Sequence, residues 1–197
     1  MFAYLLYLLE DSKRWSVYNN MTDKTITINN VLRHSMHDFL NNMHLIQLNI
    51  DMGKQEEAKS LIRSYAQKCS QFFDINNIGL FLTNEWLQTF PIRFNLITVE
   101  VETSLRDFKA TTEDDQEIYE ILEQFVQSIF PHLTGYQEQK LTVSIFTEDS
   151  LRIQVEMIGE WSSYDWFSPS TQFASIEYIE NKEGRLQFNI IAKERLE

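Results

Sequence analysis

The sequence predicts an α+β protein: an antiparallel helical hairpin that pairs with a second copy as a dimeric four-helix bundle, followed by a small α/β layer domain. Residues 27–52 contain no Pro or Gly and repeat Leu32, Met36, Phe39, Met43, Ile46 and Ile50 at intervals of 4, 3, 4, 3 and 4. That spacing lines one narrow stripe of a helix. A second helical pattern follows after a short connection, and the C-terminal part alternates apolar with polar residues as strands do. With 43% apolar and 13% aromatic residues, and only 5 Gly and 3 Pro, the composition suits a packed core and excludes collagen-like or low-complexity chains.

The elements follow in order. The apolar run Phe2–Leu9 is far shorter than the roughly 18–20 residues a bilayer span needs, and no basic residue precedes it as in a signal peptide. Residues 1–24 are therefore expected to be a packed terminal helix, or a start placed upstream of a true initiator at Met21. The first helix should close near Met52-Gly53, where Gly adopts the left-handed conformation of a helix end. Ala58, Leu61, Ile62, Tyr65, Cys69 and Phe72 mark the second helix, with Glu56 and Glu57 in the first turn where the helix dipole favours acid. A connection this short forces the two helices of the 25–75 hairpin antiparallel, and an isolated hairpin leaves each seam half open, so a homodimer is expected.

Residues 76–197 are expected to form the second domain. A third helix is predicted over Ile78–Phe90, stopped by Pro91; a strand over Leu96–Glu102; and a helix over Glu113–Phe130, stopped by Pro131. The acidic start Glu113-Asp114-Asp115 reads as a solvated face matched to the helix dipole. Strands are predicted at Leu141–Thr147, Leu151–Ile158, Ala174–Ile179 and Leu186–Ala192. The aromatic stretch from Trp161 to Phe167 is expected to pack a loop onto this sheet.

The net charge of −12 is unevenly spread. Residues 1–73 carry 8 Lys/Arg and 7 Asp/Glu, whereas residues 74–197 carry 9 and 22. An acidic C-terminal part and an N-terminal part without a dense basic cluster disfavour nucleic-acid binding. The single cysteine, Cys69, excludes an internal disulfide and points to a reducing cytoplasm. Isolated glycines, with no Gly-x-Gly or P-loop pair, argue against nucleotide binding.

Beside the seam of the first helix runs a second stripe: His34, His37, Asn41 and His44. Three of the four histidines share this face, and imidazole offers metal ligation, acid–base work or nucleophilic attack. His37 has the most telling company, with Asp38 next to it and Asn41 one turn on.

The segment His37-Asp38-Phe39-Leu40-Asn41 resembles the phosphoacceptor box of bacterial sensor kinases. More closely, the segment around it resembles the sporulation initiation phosphotransferase B family, whose pattern reads roughly His-Ser-x-His-Asp-aromatic-x-Asn followed by Leu-Ile. His34, Ser35, His37, Asp38, Phe39, Asn41, Leu45 and Ile46 fit it. Met36 and Asn42 depart from it, standing where relatives often carry basic residues, so cationic help would come from Arg33 or from a partner. The resemblance implies a phosphorelay: His37 accepts a phosphoryl group from the aspartate of a single-domain response regulator and passes it to that of a DNA-binding response regulator controlling sporulation. Asp38 would orient the imidazole and Asn41 would assist. No cofactor of the chain's own is implied, Mg²⁺ being expected in the partner regulator. His34, Leu40, His44, Leu45 and Leu48 are candidate docking residues. Two alternatives remain open at this stage: a non-catalytic module that binds a regulator, and a helical metal-binding protein using His34, His37 and His44.

Overall fold

The computed structural model describes residues 28–106, 108–134, 138–147, 150–161, 167–182 and 184–192. The Phe2–Leu9 run, Met21 and most of the Trp161–Phe167 stretch lie outside them. The fold is α+β. Helices α1 (Ile28–Asp51) and α2 (Gln55–Asn77) form the expected hairpin, and α3 (Phe81–Arg93) leads into the edge strand β1 (Ile97–Ser104). Helix α4 (Thr112–Ile129) and a 3-10 turn (Phe130–His132) precede β2 (Gln139–Thr147), β3 (Leu151–Ile158), β4 (Ala174–Lys182) and β5 (Arg185–Ala192). The five strands run in the order β1-β2-β3-β5-β4. β1 is parallel to β2 and the other pairs are antiparallel.

The hairpin turns on Gly53, whose φ of +73° suits a residue without Cβ. The Lys54 and Gly53 amides donate to the Asn49 and Ile50 carbonyls at 2.8 and 2.9 Å, closing the end of α1. Within the single chain the predicted seam is only partly covered. Ile46 is buried at 8% exposure, whereas Leu32 and Met36 are both 56% exposed.

Burial alternates along β3, where Leu151, Ile153, Val155 and Met157 face the core. The core side chains Trp86, Phe90, Ile118, Leu122 and Phe125 come from α3 and α4. Pro91 does not stop α3, which continues to Arg93. Rings at Trp86, Phe90, Phe94 and Phe130 pack in succession with centroids 4.9, 5.0 and 5.5 Å apart. This packing holds the last turn across the missing proline N–H, and Phe94 N still donates to the Phe90 carbonyl at 2.8 Å.

A second correction concerns the acidic start of α4. Glu113 is exposed, but Asp114 and Asp115 are buried at 8% and 3% exposure. Asp114 forms a capping box with Thr111. Asp115 accepts from the Leu82 and Thr83 amides at 2.8 and 3.0 Å and from the Thr83 hydroxyl at 2.8 Å. It thereby caps the N-terminus of α3, whose own cap residue, Leu80, has no side-chain acceptor. Two further acids of α4 hold distant chain. Glu117 accepts from the Phe173 amide at 2.7 Å, and Glu123 accepts from Trp86 Nε1 at 2.6 Å and pairs with Arg93.

Asp115→Ala is expected to destabilise the protein by about 2–3 kcal/mol, since it removes a charged acceptor from two buried donors and one part-buried donor. Gln124→Ala on the exposed face of the same helix should stay within about 0.5 kcal/mol of wild type. Urea unfolding of both variants checks this contrast.

Candidate functional site

The sequence of α1 places the site by helical geometry alone. At 3.6 residues per turn, positions 34 and 38 lie one turn apart, as do 37 and 41. His37 is 70% exposed by its side chain, and its Nδ1 lies 3.4 Å from Asp38 Oδ1. Asn41 Nδ2 lies 3.2 Å from the same nitrogen. Asp38 Oδ2 also meets His34 Nδ1 at 3.4 Å. Four of the sequence-predicted residues therefore form one connected array. Both of these contacts to His37 are made to Nδ1, on a side chain that is largely exposed.

The remaining candidates stand apart from this array. His44 is exposed two turns further on, and Leu40, Leu45 and Leu48 are each about half exposed. They add apolar surface along the same helix. Asn42, which departs from the basic residue common at this position, bonds backward, its amide donating to the Asp38 carbonyl at 2.9 Å. Among the described residues, no three His, Cys, Asp or Glu side chains converge as metal ligands.

The structure adds partners that helical spacing on α1 alone does not reveal. His34 and Asp38 line an open cleft of about 590 Å³, whose opposite walls include Tyr65 and Lys68 of α2 and Glu100 and Glu102 of β1. Lys68 thus brings an ammonium group of this chain to the cleft. Its seven-residue spacing from Leu61 was the available signal, but only the hairpin's register reveals which α1 residues it shares a wall with. Burial raises the Tyr65 phenol above the ordinary tyrosine value, aided by the charge and hydrogen bond of Cys69 and, least, by Asp38.

Residues 19–78 match the family model described as sensor kinase SpoOB-type, alpha-helical domain. No curated protein matches the chain. Among solved structures, the blue-light activated histidine kinase EL346 of Erythrobacter litoralis is 10% identical with a TM-score of 0.40, over 86% of this chain and 61% of that one. The histidine kinase domain from the same protein is 11% identical with a TM-score of 0.42, over 93% of each chain. The chain thus spans 61% of the length of the first of these kinases.

Replacing Cys69 by Ala should lower the Tyr65 ionisation midpoint toward the ordinary value of 10.0. Because the folded phenol holds its proton more tightly than the unfolded chain does, its stability contribution is complete below that value. It is lost as pH rises through the raised midpoint. A ¹³C NMR titration of ring-labelled tyrosine, assigned with Tyr65→Phe, reads the shift directly. On this evidence the segment bearing His34, His37, Asp38 and Asn41 is similar to the alpha-helical domain of SpoOB-type sensor kinases.

Proposed function

We propose that the protein is a phosphorelay phosphotransferase. His37 takes a phosphoryl group from the aspartyl phosphate of a single-domain response regulator and delivers it to the aspartate of a second, DNA-binding regulator that controls sporulation. The observation that carries this reading is the arrangement at His37. Both polar neighbours engage Nδ1 of a largely exposed side chain, so Nε2 is the nitrogen available for attack.

In the transfer step Nε2 attacks phosphorus as the acyl phosphate's O–P bond breaks, and the bonding electrons leave with the donor carboxylate. Nδ1 keeps its proton. The ring gains positive charge beside Asp38, whose carboxylate stabilises it electrostatically. The reverse sequence loads the acceptor regulator. Mg²⁺ in a regulator's own acidic pocket would neutralise charge on the phosphoryl group. Asn41 contacts the same ring at Nδ1, and Lys68 lines the adjoining cleft together with His34 and Asp38.

The same reading includes a homodimer in the cytoplasm. The half-open seam, with Leu32, Met36 and Ile50 each more than half exposed beside the buried Ile46, supports a second hairpin as its cover. A dimer would leave His37 accessible to regulators, while Leu40, Leu45 and Leu48 offer apolar surface for docking.

Two measurements test these statements. Labelled phosphate on a single-domain regulator, supplied with Mg²⁺ and without ATP, should pass to the wild-type protein as an acid-labile, base-stable adduct and not to His37→Gln. Absence of label on wild type while the regulator binds would replace the transferase by a regulator-sequestering module. Separately, Met36→Lys should weaken dimerisation at least about tenfold, because two symmetry-related charges enter the seam. Sedimentation equilibrium of wild type and variant gives the comparison, and a wild-type monomer would remove the bundle.

A further inference from the structure

We propose that His34 is a positioning residue for His37, acting through the one carboxylate, Asp38, that both imidazoles contact. The inference rests on the reading of His37 as the phosphoryl acceptor and concerns what sets its reactive form. Asp38 Oδ2 meets His34 Nδ1 and Asp38 Oδ1 meets His37 Nδ1, each at 3.4 Å. Both distances exceed the usual span of an N–H···O hydrogen bond, the His34 contact being an ion-pair approach, so neither imidazole holds the carboxylate fully. Asn41 Nδ2 lies closer to His37 Nδ1, at 3.2 Å.

These contacts impose an exclusion. An ionised carboxylate only accepts, so Asp38 binds His37 when Nδ1 carries the proton. The Asn41 amide nitrogen only donates, so it binds His37 when Nδ1 presents its lone pair. One nitrogen cannot do both. When Asp38 turns to His37, Nδ1 is protonated and Nε2 holds the lone pair that attacks phosphorus. When Asp38 turns to His34, His37 Nδ1 is left to Asn41, the proton sits on Nε2, and that nitrogen is no nucleophile. His34 therefore draws on the unreactive tautomer by competing for Asp38, and the competent fraction scales the transfer rate.

Opposite substitutions at this exposed position move the balance in opposite directions. His34→Ala frees Asp38 and should shift His37 toward the Nδ1–H tautomer, raising the rate of acceptance from a phosphorylated regulator by about twofold if the carboxylate is evenly shared. His34→Lys holds Asp38 with a fixed cation one turn away and should shift His37 toward Nε2–H, slowing acceptance. Long-range ¹H–¹⁵N correlation spectra of histidine-labelled protein, with His37 assigned by His37→Gln, report the tautomer without any transfer reaction. A purely structural role for His34 would not move the two variants in opposite senses. Identical His37 spectra in wild type and both variants overturn the proposal, even if all three accept phosphate. Opposed tautomer shifts without any phosphate acceptance uphold the positioning role and count instead against the transferase reading.

Discussion

Much of the C-terminal part hangs on the inward-facing carboxylates of α4. A helix that buries three acids in its first six residues ordinarily suffers a large desolvation cost, and each acid offsets it by accepting hydrogen bonds. Asp114 closes its own helix start with Thr111. Asp115 supplies the cap that Leu80 cannot give to α3. Glu117 receives the amides of Gln172 and Phe173, fixing the chain that enters β4. One turn and a half later Glu123 ties Trp86 and Arg93 to the same helix. The result is that α3, α4 and the far edge of the sheet share one set of polar anchors, and the aromatic packing around Phe90 and Phe125 is held in register by them.

That rigidity bears on the site because α3 and β1 form one side of the cleft that His34 and Asp38 line from the other. The hairpin meets the rest of the chain through the end of α2. Ile75 is fully buried, and Asn84 of α3 donates to the Phe72 carbonyl at 3.0 Å and to Asn76 Oδ1 at 2.7 Å. Gly79, at φ +91°, allows the turn between α2 and α3 to pass close to the Ala110 carbonyl, where a Cβ would sit 3.0 Å from that oxygen. The placement of β1 opposite Asp38 is therefore built by tertiary anchors rather than by the hairpin itself.

The parts of this arrangement differ in how far the sequence discloses them. Helical periodicity was enough for α1, for its end at Gly53 and for the array around His37, because every contact there lies within four residues along one helix. Alternation located the strands, since one face of the sheet packs on helices and the other does not. What local reasoning misjudged is set by partners distant in the chain. Asp115 looked solvated because its donors lie 32 and 33 residues away. Pro91 looked like a stop because the rings that hold α3 beyond it include Phe130, on a different element. The Tyr65 and Lys68 wall depends on hairpin register, which the spacing of either helix alone leaves undetermined.

The geometry at His37 follows from the same local rule that made it legible. A nucleophilic imidazole on a helix needs one acceptor to hold its proton and a free nitrogen to attack. A single turn provides few places for that acceptor: the adjacent residue, or one three or four positions away. Asp38 takes the adjacent place, but a residue at 38 is also a full turn from 34. The helix that sets a carboxylate beside His37 thereby brings the same carboxylate to His34, and brings the Asn41 amide to His37. Exposure keeps each of these contacts weak, because water competes for every one of them. Weak, mutually exclusive contacts around one nitrogen suit the proposed role, in which the ring is charged with phosphate and then emptied, since neither state of the ring is locked in by its neighbours.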